Sequence, residues 1–194
     1  MDEDESLHSA AWAGVVDAIK SLLSRGFSID RRDDLGRTPL MIAADNDKLH
    51  AVTYLLEKGA DPSLQDNNGW HALHHASQGG NPEVIDLMIS HVPSIDSITE
   101  EGLTSLMIAA GNGKLQAVEY LLEKGADPSL QDNSGWNALH QASRSGIVAI
   151  MEKILSYGVD IESKTIASTP LMLAKRYGNS DAVDYLLGKV AESS

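Results

Sequence analysis

Three neighbouring histidines are the side chains of this sequence most suited to chemistry. His71, His74 and His75 are spaced i, i+3 and i+4 at the start of a predicted helix, so their imidazoles would share one face. Imidazoles grouped in this way are typical ligands of zinc. No carboxylate stands within the same helix turn to complete a metal site. The spacing leaves two interpretations open, a metal site or histidines with a structural role.

The common catalytic patterns are missing from the sequence. There is no cysteine, so a thiol nucleophile, a thiolate metal site and a disulfide are excluded. No G-x-S-x-G elbow occurs, and the glycines at 79–80 and 111–113 lack the Lys-Ser/Thr that follows in a phosphate-binding loop. Glu100 and Glu101 are predicted to lie exposed on a turn, where they suit contact with lysine or arginine better than proton transfer. We therefore expect no enzymatic activity and no cofactor.

The elements that must position these residues recur at a fixed period. Residues 40–65 recur almost verbatim at 106–131, a shift of 66 residues. Leucines follow one another at steps of 33 residues, with a last step of 32: Leu7, Leu40, Leu73, Leu106, Leu139 and Leu171. Such a period indicates stacked repeats rather than a globule with one central core. The duplicated block therefore consists of two repeats.

One repeat, residues 33–65, shows what each unit contains. Gly36 closes a predicted turn, and Thr38 followed by Pro39 is a helix start in which the threonine caps and the proline occupies the first helical position. A second helix is predicted from about Leu49 to Lys58, with Gly59 in the position favoured for a left-handed cap. Both helices are too short to be stable alone, so burial between neighbouring units must supply the stability.

Composition and charge limit the classes of partner. The formal net charge is −13, and residues 1–97 carry seven basic and sixteen acidic side chains. Such a surface repels phosphate backbones, so we expect no nucleic-acid binding, whereas a basic segment would be attracted. Alternatively, the charge only keeps an elongated surface soluble. No apolar run reaches membrane-spanning length, and the acidic start is unlike a secretory signal. We expect an intracellular protein, cytoplasmic or nuclear, without a membrane partner.

The repeat resembles the ankyrin repeat. The resemblance rests on the segments Thr38-Pro39-Leu40, Ala43-Ala44, Tyr54-Leu55-Leu56 and Gly59-Ala60-Asp61. It covers residues 2–191 as six units in a single domain over 1–194, with bounds near 1–32, 33–65, 66–98, 99–131, 132–163 and 164–191. The fold it implies is all-α, a solenoid of antiparallel helix pairs with projecting β-hairpin fingers.

The sequence departs from the family pattern at identifiable positions. Met41, Met107 and Met172 stand where the family has histidine, while His74 and His140 keep it. In the family that imidazole hydrogen-bonds to backbone between repeats, so the resemblance favours a structural role over a metal site. The third unit has Val92-Pro93-Ser94 in place of Gly-Ala-Asp, so we expect its second helix to end differently. The fifth unit lacks one residue near 161–163, where a local irregularity is expected.

Candidate binding residues follow from the face that ankyrin repeats present to partners, built by finger tips and inner helices. Trp and Arg also dominate the binding energy of protein interfaces. The positions on that face are Trp12, Leu35, Arg37, Asp45, Trp70, Glu100, Glu101, Leu103, Trp136, Arg144 and Tyr177, with Ile166 at a further finger tip. As an alternative, the tryptophans pack on adjacent fingers and stiffen the hairpins.

These observations predict a non-enzymatic protein–protein interaction module. The expected partner is a protein or peptide segment with basic residues beside apolar anchors, bound to a monomeric module. One alternative is a regulatory or substrate-recruiting arm of a larger enzyme or signalling protein, as ankyrin repeats often are. Another is a structural or self-assembling scaffold element, in which the tryptophan face meets a second copy.

Overall fold

Pairs of short helices follow one another throughout the computed structural model, which describes residues 3–165 and 168–192. Residue contacts divide the chain into two compact units, residues 1–100 and 101–194. The first contains α1 (Glu3–Ala13), α2 (Val16–Ser24), α3 (Pro39–Asp45), α4 (Leu49–Glu57), α5 (Ala72–Gly79) and α6 (Pro82–Ile89). The second contains α7 (Ser105–Gly111), α8 (Leu115–Glu123), α9 (Ala138–Ser145), α10 (Val148–Leu155), α11 (Pro170–Arg176) and α12 (Ser180–Glu192). The predicted all-α fold of helix pairs is confirmed.

Each unit consists of two layers of helices. In the first unit the inner helices α1, α3 and α5 pack side by side, and the outer helices α2, α4 and α6 do the same. The second unit repeats this arrangement with α7, α9 and α11 inside and α8, α10 and α12 outside. Leu40 and Leu73 are buried between inner helices, where alanines such as Ala43 let the backbones approach closely. Each such leucine contributes about 2 kcal/mol through burial.

The inner helices begin as the sequence predicts. The Thr38 hydroxyl accepts a hydrogen bond from the backbone N–H of Met41 at 3.3 Å, and Pro39 is the first helical residue. In return the Met41 sulfur accepts the Thr38 N–H at 3.3 Å. At the same place in α5, Nδ1 of His74 accepts the N–H of His71 at 3.0 Å. Met41 in the second repeat and His74 in the third therefore satisfy the same backbone donor.

Glycines end the outer helices where left-handed backbone is needed. Gly59 has a φ of 88° after α4, and Gly125 has a φ of 92° after α8. The third repeat has no glycine there, and α6 stops at Ile89 with Ser90 in right-handed helical conformation at its end. The different end predicted for that helix is confirmed. Because the φ of Gly59 is positive, a side chain there would strain the backbone although it would meet no neighbouring atom.

The fingers between repeats are tight turns closed by hairpin-like hydrogen bonds. The N–H of Asp33 donates to the carbonyl of Arg37 at 3.0 Å, and that of Asp66 donates to Trp70 at 2.9 Å. The next finger is tied on by the N–H of Asn67, which donates to Leu35 at 3.0 Å. Within the described ranges the fingers are too short to form regular strands. No described helix has both the length and the apolar character needed to cross a membrane.

His74 in the third repeat is buried and hydrogen-bonded to backbone, which is the structural role that the family resemblance implies. Because Nδ1 of His74 accepts the His71 amide, its Nε2–H donates to the Ser97 carbonyl, at 2.9 Å. Burial lowers the pKa of His74 from its ordinary value of 6.5 to about 4, although the bond to Ser97 opposes the change. Among the described residues, no three His, Asp or Glu side chains are grouped to hold a metal ion.

The buried neutral form of His74 makes stability depend on pH. Below pH 6.5 the imidazole of His74 is protonated in the unfolded chain, whereas in the folded chain it stays neutral until the pH nears 4. Stability should therefore decrease as the pH falls through this window, by about 2 kcal/mol between pH 6.5 and pH 5. Urea denaturation followed by circular dichroism at pH 7.5, 6 and 5 measures the change.

The replacement His74→Met is the matched control, because the second and fourth repeats carry methionine at this position. It should cost about 1 kcal/mol at pH 7.5, since the Ser97 carbonyl loses its donor. It should also reduce the loss of stability at pH 5. An unchanged pH dependence in this variant would show that His74 is not the responsible group.

Candidate functional site

A groove on the first unit brings together four of the predicted binding residues. Trp12 lies near the end of α1, Leu35 and Arg37 lie on the first finger, and Asp45 is the last residue of α3. The groove has a volume of about 850 Å³. Its other lining residues are His8, Ser9, Arg31, Arg32, Asp33, Asp34, Ile42 and Asn46. We call these twelve residues the inner groove.

Two apolar side chains of the inner groove are unusually exposed. Trp12 is 62 % exposed and Leu35 is 55 % exposed, while Ile42 beside them is buried at 6 %. Large apolar side chains left in water at one place are typical of interaction sites rather than of packing positions. The two residues come from different elements, so the first inner helix and the first finger must both be correctly placed to form the pair.

The first finger holds Leu35 in place through one aspartate. Oδ1 of Asp33 accepts the backbone N–H of Leu35 at 3.0 Å and that of Arg37 at 2.8 Å. Oδ2 of Asp33 accepts Nε of Arg37 at 2.9 Å and lies 2.8 Å from Nη2 of the same side chain. Gly36 turns the finger with a φ of 76°, and a Cβ there would collide with Asn67. Leu35 is thus presented on a braced loop.

The charges of the inner groove nearly cancel. Partial burial would raise the pKa of Asp33, but hydrogen bonds from the backbone and guanidinium of Arg37 lower it below its ordinary value. Asp34 and Asp45 add two carboxylates, and Arg31 and Arg32 add two guanidinium groups. The sequence drew attention to the acidic residues and missed these two arginines, although they directly precede the finger. The groove is therefore a mixed surface and not a purely acidic one.

Trp70 and Trp136 differ from Trp12 in their surroundings. Both are half-buried, and each ring lies against histidines of the inner helix in its own repeat. The ring centroid of Trp70 is 5.2 Å from that of His75 and 6.1 Å from that of His74. Trp136 stacks on His140 with centroids 6.3 Å apart. These two tryptophans therefore stabilise the base of their fingers as well as presenting an exposed edge.

A buried hydrogen-bonded pair of side chains, His75 and Asp66, supports the finger that carries Trp70. Nε2 of His75 lies 3.1 Å from Oδ2 of Asp66, and both side chains are almost fully buried. Oδ1 of Asp66 accepts the backbone N–H of Trp70 at 3.0 Å, which fixes the finger. Burial lowers the pKa of His75, and the carboxylates of Asp45 and Asp66 oppose this effect. This pair was not predicted from the sequence, because Asp66 lies in the turn and His75 in the helix.

The remaining predicted residues lie apart from the inner groove. Glu100 is exposed at the end of the first unit. In the second unit Glu101 and Arg144 are exposed, Leu103 is half-buried, and Tyr177 is 50 % exposed at the end of α11. Ile166 lies outside the described residues.

The Asp45 carboxylate also accepts a hydrogen bond from Nε2 of Gln78 at 2.8 Å, which links α3 to α5.

Known proteins contain regions similar in sequence to most of this chain. A human transient receptor potential cation channel, subfamily A member 1, is 32 % identical over 96 % of this chain, which covers 18 % of the channel. A palmitoyltransferase of Lachancea kluyveri is 30 % identical over 84 % of the chain, which covers 23 % of that protein. The probable 26S proteasome regulatory subunit p28 of Saccharomyces cerevisiae is 28 % identical over 94 % of the chain and 84 % of its own length. The chain thus spans about a fifth of the first two relatives.

The family model for ankyrin repeats, in three copies, matches residues 7–97, 91–165 and 131–193. These ranges cover nearly the whole sequence and agree with the repeated pairs of helices and the fingers described above. The chain therefore belongs to the ankyrin-repeat family.

Proposed function

We propose that the chain is a non-enzymatic protein–protein interaction module whose inner groove binds a segment of a partner protein. The observation that carries the proposal is the pairing of Trp12 and Leu35, two exposed apolar side chains in one groove beside six charged residues. A large apolar side chain of the partner would insert between them and exclude water. The surrounding charges would then fix the orientation of the bound segment.

The partner segment carries a basic residue next to its apolar anchor. Asp33 is already paired with Arg37, so the other two carboxylates of the groove, Asp34 and Asp45, are the ones that an incoming cation meets. Asp45 would do so through Oδ2, because its Oδ1 accepts the hydrogen bond from Gln78. The excess of acidic over basic residues in 1–97 attracts such a segment from a distance. The guanidinium of Arg32 suits an acidic residue further along the same segment.

The half-exposed tryptophans and the second unit extend this proposal. Trp70 and Glu100 on the first unit, and Glu101, Leu103, Trp136, Arg144 and Tyr177 on the second, are proposed as further contacts with partners. Aromatic and arginine side chains are those most often responsible for binding energy. Trp70 and Trp136 also pack on histidines, so they contribute to the stability of the fold as well as to binding.

A second candidate function is a recruiting arm within a larger protein. It is favoured by the palmitoyltransferase and the cation channel among the relatives, of which the chain matches about a fifth. Sequencing of the full-length transcript in the source cell would decide between the two. A catalytic or channel-forming domain in the same reading frame would favour the arm.

Replacing Trp12 and Leu35 together by alanine should abolish partner binding. Peptides are first selected against the wild-type protein from a random display library and then measured by fluorescence anisotropy. Loss of both anchors should weaken the selected peptides by about thirtyfold or more, the effect expected of interface hot spots. The fold should persist, since both side chains are exposed.

The matched control is Leu187→Ala, which removes an aliphatic side chain that is 46 % exposed on the second unit. It should leave the affinity of peptides selected for the inner groove unchanged. The inner groove would be refuted as a binding site if every selected peptide bound the Trp12/Leu35 double variant as tightly as the wild type.

Trp70→Ala and Trp136→Ala separate packing from binding at the other tryptophans. Because each ring lies on buried histidines, each replacement should lower the free energy of unfolding by about 2 kcal/mol. Trp12→Ala should change it by less than about 0.5 kcal/mol. Urea denaturation measures all three, and a destabilising effect of Trp12→Ala as large as the others would contradict the assignment.

A further inference from the structure

A second groove lies on the outer helices of the first unit. It has a volume of about 730 Å³, and its lining includes Leu49, Tyr54, Glu57, Glu83, Asp86 and Leu87. These residues belong to α4 and α6, whereas the inner groove is built from α1, α3 and the first finger. We call this second site the outer groove. Apolar side chains and three carboxylates therefore meet on a surface that the inner groove does not use.

Lys20 and Lys58 lie beside the outer groove, at the ring of its lining residue Tyr54. Nζ of Lys20 lies 3.2 Å from Asp17 and 5.5 Å from the centre of the Tyr54 ring. Nζ of Lys58 also lies 5.5 Å from that ring. No lysine or arginine is among the described lining residues. Glu57 and Glu83 therefore give the groove an acidic character that Lys20 and Lys58 do not cancel.

The second unit shows the same surface with a lysine in it. Lys153 of α10 occupies the position of Leu87 in the duplicated block, and Glu123 occupies that of Glu57. Nζ of Lys153 lies 3.8 Å from Oε1 of Glu123 and 4.0 Å from Oε1 of Glu119. Lys124 stacks on Tyr120 at 5.0 Å, as Lys58 does on Tyr54. In the second unit Lys153 thus neutralises Glu123. In the first unit the equivalent residue is Leu87, which leaves the charge of Glu57 in the outer groove.

We propose that the outer groove binds a protein segment that supplies a lysine next to an aliphatic residue. The aliphatic stem of the lysine packs along Leu87, and its ammonium group meets Glu57 as that of Lys153 meets Glu123. The adjacent aliphatic side chain covers Leu49, which leaves Glu83 for a further cation. This surface is independent of the inner groove, so the chain would contact two partner segments at once.

Substitutions that give one unit the residue found at the equivalent position of the other unit test the proposal. The probe is a short fluorescein-labelled peptide made only of leucine and lysine. Leu87→Lys should fill the outer groove and weaken the affinity for the probe by about fivefold to tenfold. This is the size expected for loss of a few surface ion pairs and an apolar contact. Gln65→Lys adds the same charge on an exposed loop of the same unit and should weaken the probe less than twofold.

The reverse substitution Lys153→Leu provides an independent measurement. It frees Glu119 and Glu123 in the second unit and should create an additional site, so that calorimetry finds one more bound peptide per chain than in the wild type. In 15N-labelled wild-type protein, the probe should shift amide signals of α4 and α6. The Trp12/Leu35 double variant, in which the inner groove lacks its anchors, should keep the amide shifts of α4 and α6, which separates this proposal from that of the inner groove.

Two results would overturn the proposal. One is equal weakening of the probe by Leu87→Lys and Gln65→Lys, which would mean that only the overall charge attracts it. The other is amide shifts confined to residues outside α4 and α6. Should Leu87→Lys fail to fold, the stoichiometry of Lys153→Leu still decides, and a value unchanged from the wild type would count against the site.

Discussion

Burial between neighbouring repeats is the interaction on which every other feature of this molecule depends. The described inner and outer helices between α2 and α11 have only seven to nine residues, which is too short for an isolated helix in water. Leu40 of α3 and Leu73 of α5 are buried, and these two helices pack against each other within the first unit. The fingers start from the ends of these helices. A finger can therefore present Leu35 in a fixed place only while the layer beneath it is packed.

Features of the fold that are encoded locally could be predicted from the sequence. Thr38 with Pro39 marked a helix start, and Gly59 marked a helix end with positive φ, because caps depend on residues only a few positions apart. The different end of α6 followed from the missing glycine for the same reason. The period of the leucines then extended these local signals to the whole chain.

The composition of the candidate site was harder to predict, because it depends on contacts between distant residues. The sequence placed Trp12, Leu35, Arg37 and Asp45 on one surface through resemblance, and the structure brings them into one groove. It did not reveal that His75 and Asp66 form a buried pair beneath Trp70, nine residues apart in sequence. Nor did it distinguish the exposed Trp12 from the half-buried Trp136, since the residue type is the same and only the neighbours differ.

The exchange of methionine and histidine at the start of the inner helices has a consequence for how such a chain can evolve. Met41 and His74 accept the same backbone amide through a sulfur and a ring nitrogen, so either residue preserves the geometry of the helix start. Only the histidine can take up a proton. Acid sensitivity can thus be introduced into a repeat, or removed from it, without altering the backbone. Repeats with the same backbone structure can in this way differ in how far an acidic pH destabilises them.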